Sequence, residues 1–173
     1  MIYMKKLMLL TAAALIAGAY SASAAPVTYV PAGHGNIGYS YNGANDGINN
    51  YYLEYSPINK VVVGAEYRDW INAGNETDVY AKYRLGRAYV GIGNRNYADR
   101  DAKAYGLVEG MTNLADRLDA YGSLKLNSDE REWKAGVLYD LLPQIDVDLN
   151  YTYYDRDDAE NQDGIGIGVN YRF

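Results

Sequence analysis

From residue 36 to the last residue, apolar and polar side chains alternate with a period of two in ten successive stretches, with turn-like breaks every 10 to 17 residues. Successive side chains of a strand point to opposite faces, so this pattern specifies β structure with one apolar and one polar face. Many short strands in series read as a meander or a barrel. Ile37, Tyr39 and Tyr41 alternate with Gly38, Ser40 and Asn42; Tyr51, Leu53 and Tyr55 with Tyr52, Glu54 and Ser56, ending at Pro57. Val61, Val63, Ala65 and Tyr67 follow, then Val79, Ala81, Tyr83 and Leu85, then Val90 and Ile92. The stretch 103–110 and the one around Leu118, Ala120, Leu124 and Leu126 are weaker; without them the count falls from ten to eight. The last three are the clearest, with apolar sets Trp133 to Tyr139, Ile145 to Tyr153 and Ile165 to Phe173. The 20 tyrosines and 18 glycines suit strands and the turns between them.

Residues 1–24 have the layout of a secretory signal peptide: Lys5 and Lys6, an uncharged run over 7–19, then the small residues Ala22, Ser23 and Ala24. The uncharged run is too short to cross a bilayer as a helix, and no later run is long enough. Residues 25–35, with two prolines and two glycines, read as a loose lead-in, and 36–173 as the folded domain. Without the two signal lysines, 14 basic residues face 22 acidic ones, a net charge of −8 that argues against nucleic-acid binding. There is no cysteine, so stability must come from the core, a ligand or a membrane.

A soluble β-sandwich also alternates, but with its apolar face turned inward. Here aliphatic residues occupy mid-strand and aromatics the strand ends, as in Val61, Val63 and then Tyr67, or Val147, Leu149 and then Tyr151 and Tyr153. Aromatic rings of that kind suit the boundary between hydrocarbon and headgroups. The connections at Pro57, Gly86-Arg87 and Pro143 are short. Those at NGANDGINN, RNYADRDAK, NSDE and DRDDAENQD are mostly longer and more acidic. Short turns at one end and longer loops at the other characterise bacterial outer-membrane barrels. The expected fold is therefore all-β, a closed antiparallel transmembrane meander barrel of about ten strands, alternatively eight.

The segment GIGIGVNYRF ends in Phe173, the sole phenylalanine, with Tyr171 two residues earlier. It resembles the C-terminal strand of bacterial outer-membrane β-barrels, and the length resembles the small barrels of the OmpA/OmpX and opacity-protein kind. That resemblance implies that Tyr171 and Phe173 form an assembly signal read by the barrel-assembly machinery. It also implies outer-membrane lipid and lipopolysaccharide as surroundings. No C-terminal peptidoglycan-binding domain of the OmpA type follows, so no tether to the cell wall is expected.

Glu66, Arg68, Lys82, Arg84, Arg95, Lys134, Asp146, Asp148 and Arg172 all fall on the polar parity and are expected to face the lumen. They either pair across the interior and fill it or line a narrow ion-selective pore; a filled or narrow interior is favoured, because about ten strands enclose little space. Catalytic residues are not expected. The single histidine, His34, precedes the first strand, and there is no cysteine to serve as a nucleophile. Asp155, Asp157, Asp158 and Glu160 offer hard oxygen ligands, but Ala159 breaks the EF-hand pattern, and the loop reads as solvated. Were it to capture Mg²⁺ or Ca²⁺, bridging to lipopolysaccharide phosphates would be the consequence to test. No cofactor, metal or extracellular partner is specified. Three functions remain open: a structural or surface-interaction barrel, a porin for ions or small solutes, and a soluble periplasmic barrel binding an apolar ligand.

Overall fold

The computed structural model of the chain describes residues 28–43, 47–71, 74–157 and 160–173. The signal peptide expected at 1–24 lies outside them. Ten strands are formed: β1 (Gly35–Asn42), β2 (Ile48–Ile58), β3 (Val61–Trp70), β4 (Gly74–Leu85), β5 (Ala88–Tyr97), β6 (Lys103–Ala115), β7 (Leu118–Leu126), β8 (Glu130–Leu142), β9 (Ile145–Arg156) and β10 (Gln162–Arg172). Each pairs antiparallel with its neighbours in sequence, and β1 pairs with β10 from Asn36↔Arg172 to Asn42↔Gly166, which closes the barrel. Closure is the physical requirement, since an open edge would leave backbone N–H and C=O groups unpaired in hydrocarbon. The weak stretches 103–110 and 118–126 are β6 and β7, two full strands, so the number is ten and not eight.

All four connections at one end are two-residue turns, at 59–60, 86–87, 116–117 and 143–144. Gly86 takes a φ of 68°, a left-handed conformation glycine adopts freely, while Lys60 (70°) and Arg117 (62°) adopt it despite their side chains. The strands run further than the alternation indicated. Ile48 to Asn50 and Asp155 with Arg156, read as breaks, belong to β2 and β9, and β4 begins at Gly74, ahead of the alternation that starts at Val79. Pro57 does not end β2; it lies in a register shift between Tyr55 and Ile58, where its missing N–H is tolerated.

The barrel is inside out relative to a soluble protein. Among the described residues, Ile37, Leu53, Val63, Val79, Ile92, Leu149, Ile165 and Ile167 stand exposed on the outer wall, with Tyr39, Tyr51, Tyr67, Tyr83, Tyr139 and Tyr171. The buried set holds twice as many polar or charged residues as apolar and aromatic ones. An outer wall this rich in exposed aliphatic and aromatic side chains is unlike the surface of a freely soluble monomer. It also removes the expectation of a soluble barrel with an apolar ligand site, which needs apolar faces turned inward.

Inside, bulky rings and glycines interlock across strands. Tyr52 faces Gly38, Tyr80 faces Gly64, Tyr105 faces Gly93 and Tyr121 faces Gly136, each pair in direct register. A Cβ on any of these glycines would overlap the opposing ring. Six of the inward apolar or aromatic residues are tyrosines, Tyr52, Tyr80, Tyr89, Tyr105, Tyr121 and Tyr154; they fill the narrow interior, and the hydroxyls of Tyr80 and Tyr121 donate to Glu54 and Asp148.

Candidate functional site: the charged interior

The alternation that turns Tyr51, Tyr67 and Val79 outward turns Glu66, Arg68, Asp78 and Tyr80 inward, and the register brings those inward groups level with one another. In the half of the barrel nearer the longer connections, Arg68 Nε lies 2.9 Å from Glu66 Oε1, Nη2 3.0 Å from Asp78 Oδ2 and Nη1 3.1 Å from Glu132 Oε2. Arg95 donates from Nε to Asp78 Oδ1 at 2.8 Å and from Nη2 to Asp78 Oδ2 at 2.9 Å. It also reaches Glu130 at 3.0 Å and touches Glu132. Lys125 Nζ joins Asp78 at 2.6 Å and Glu66 at 3.0 Å. Above this level Arg156 pairs with Glu76 at 2.5 Å and stacks over Trp70, its guanidinium carbon 4.7 Å from the ring centre. Arg100 pairs with Glu130 and lies over the Tyr97 ring at 3.8 Å.

In the half nearer the two-residue turns, Lys82 Nζ sits between Glu54 at 2.5 Å and Glu109 at 2.8 Å. Lys134 lies 3.5 Å from Asp148, which also accepts the Tyr121 hydroxyl at 2.7 Å. Asp146 accepts Asn170 Nδ2 at 2.9 Å and Arg172 at 2.7 Å. Arg68, Arg95, Lys82 and Lys125 are each no more than 3% exposed. Charges so removed from water persist only when they are paired and hydrogen-bonded.

Of the nine charges assigned to the lumen from sequence, Glu66, Arg68, Lys82, Arg95, Lys134, Asp146 and Asp148 are buried inside. Arg84 and Arg172 are partly exposed at the turn-end rim. Arg84 does not join the interior network: it donates to Asn59 at 3.3 Å and lies over the Tyr29 ring at 4.2 Å. Beyond those nine, Glu54, Glu76, Asp78, Glu109, Lys125, Glu130 and Glu132 are also buried. Glu54, Glu109 and Lys125 share the polar parity and were legible by it; Glu76, Glu130 and Glu132 lie where the alternation fades. Tyr171 and Phe173 face outward at the turn end, with ring centres 6.5 Å apart. The backbone of Phe173 is joined to Gly35 by hydrogen bonds of 2.8 and 2.9 Å in both directions across the seam. The Asp155–Glu160 loop is only partly described, with Asp158 and Ala159 outside the described residues. Among those residues no group of three or more His, Asp or Glu side chains could hold a metal ion.

The lead-in differs most from its reading as a loose segment. Over residues 28–34 it folds back into the turn end of the barrel, with Thr28 and Val30 buried and the His34 side chain exposed.

The family model of the outer membrane protein beta-barrel domain matches residues 7–173. Among solved structures, the KdgM porin in complex with disordered oligogalacturonate aligns over 80% of this chain and 99% of its own, with 13% identity and a TM-score of 0.53. The N-terminal β-barrel domain of Pseudomonas aeruginosa OprF aligns over 82% and 98%, with 13% identity and a TM-score of 0.46. At 13% identity the likeness to the KdgM porin concerns fold alone. No curated protein sequence matches the chain.

Proposed function

This chain belongs to the outer membrane protein β-barrel family, and from that premise we propose that it stands in the outer membrane as a structural or surface-interaction barrel with a closed interior and no catalytic activity. The observation that carries this reading is the mutual pairing of Arg68, Arg95 and Lys125 with Glu66, Asp78, Glu130 and Glu132 across the lumen. Lumen charges that served a permeating ion would remain hydrated and open to exchange with it; these are nearly removed from solvent and hold one another. The reading places the two-residue turns in the periplasm and the longer connections outside, as in bacterial outer-membrane barrels. It also has the segment 1–24 cleaved on export, Tyr171 and Phe173 read by the barrel-assembly machinery, and the outer wall surrounded by lipid and lipopolysaccharide.

Planar-bilayer recording of the refolded mature chain tests it. The expected trace is silent at neutral pH. Long-lived open steps would contradict the closed interior and make the protein a diffusion pore for ions or small solutes.

A further inference from the structure

Among the described residues, three apolar clusters interrupt the charged interior. Ile48, Trp70 and Tyr154 form one near the loop end, and Tyr80, Tyr105 and Leu107 form a second; strand residues complete both. The third, at the turn end, gathers Val62 from β3, Tyr89 from β5, Tyr121 from β7 and Leu138 from β8, with Met111 against it. Val62 and Leu138 are aliphatic residues on a parity that elsewhere carries Lys82, Lys134 and Asp148. Their fifth partner is Val30, which belongs to no strand.

The chain is shaped to bring Val30 there. Ahead of β1 it reverses through a turn in which His34 N donates to Pro31 O at 3.1 Å, with Gly33 at a φ of 80°. Gly33 N donates to Ser56 O at 2.8 Å and Ser56 N to His34 O at 2.9 Å, tying the turn to β2. Thr28 is then held from two sides: its hydroxyl accepts Asn36 Nδ2 at 2.5 Å and its carbonyl accepts the Tyr89 hydroxyl at 3.2 Å. Cavities of about 240 Å³ and 340 Å³ flank the segment, one between Tyr29, Arg84 and Met111 and the other between Thr28, Asn36 and Arg172.

We propose that residues 28–34 are a plug seated in the periplasmic mouth, with Val30 covering a socket of Val62, Tyr89 and Leu138 that would otherwise face water. The segment is thus part of the closed state. It goes beyond the ion-pair network, because it rests on different residues in the other half of the barrel.

The absence of native cysteine makes the test direct. A Leu138→Cys variant of the mature chain, folded into lipid vesicles, is exposed to a hydrophilic maleimide small enough to enter the barrel mouth. The thiol at position 138 should stay protected while the plug is intact. Its labelling should accelerate at least tenfold when Val30→Asp, or deletion of residues 25–33, is added. Heat-modifiable migration on a gel verifies that each variant retains the barrel. Fast labelling with the plug intact, or the same rate with and without it, overturns the proposal; the first outcome needs no plug variant to fold. Conductance reads the charge network instead, so a silent chain with a reactive thiol defeats the plug alone, and a conducting chain with a protected thiol defeats the closed network alone.

Discussion

Asp78 and Arg95 stand directly opposite each other on β4 and β5, and the carboxylate accepts two parallel hydrogen bonds from one edge of the guanidinium, Nε at 2.8 Å and Nη2 at 2.9 Å. The same carboxylate also holds Arg68 at 3.0 Å and Lys125 at 2.6 Å. One buried anion therefore serves three buried cations. Removing its charge leaves them in a medium that cannot solvate them, and breaking a buried pair from one side costs about 3–5 kcal/mol. Asp78→Asn is expected to lower stability by about that much, read from urea-dependent folding into vesicles. A loss below about 1 kcal/mol would mean that water reaches the cluster and that the pairing does not close the lumen.

Gly93 is fitted to the Tyr105 side chain on the next strand, and the three nearest neighbours of an added Cβ there all belong to that side chain. Gly93→Ala should cost about 1–3 kcal/mol by overpacking. Tyr105→Leu in the same chain should relieve part of the cost. Additive losses in the double variant, measured in the same folding assay, would show that the two side chains are not coupled.

Leu149 on β9 lies on the outer wall between Val137 and Ile167, 52% exposed. If that wall meets hydrocarbon, Leu149→Arg costs about 2–4 kcal/mol, whereas Arg131→Ala, at an exposed loop-end position, is within about 0.5 kcal/mol of neutral. Equal effects in vesicles would contradict the outward orientation.

Phe173 contributes two backbone hydrogen bonds to the seam and an outward ring. Phe173→Ala keeps the backbone bonds. Folding into detergent or vesicles should then change little, while the amount assembled in the outer membrane of cells should fall severalfold. Undiminished assembly would remove the terminal aromatic from the assembly signal.

The fold was legible because one face of each strand must satisfy lipid. Val147, Leu149 and Tyr151 against Asp146, Asp148 and Asn150 leave a single arrangement. Legibility ended where that demand ends. At the loop end the outward residues Asn75, Thr77, Arg131 and Asp155 are themselves polar, so alternation disappears although β4, β8 and β9 continue. Glu76, Glu130 and Glu132 were hidden for this reason, although they are as buried as Glu66. Which inward charges meet depends on strand register and on side chains reaching across the lumen, as Lys125 of β7 reaches Asp78 of β4. Period-two patterning carries no information about such partners. The plug was hidden too, since Val30 lies in a short proline-flanked segment whose destination is set by Val62 and Leu138, far away in sequence.

The orientation of the strand faces is tested most directly by spin labels on single cysteines at positions 147, 148, 149 and 150 of β9, in vesicles. Oxygen, which partitions into hydrocarbon, should relax the labels at 147 and 149 strongly and those at 148 and 150 weakly. A reversed phase, or no alternation, would contradict a barrel whose apolar wall faces lipid and whose charges face one another.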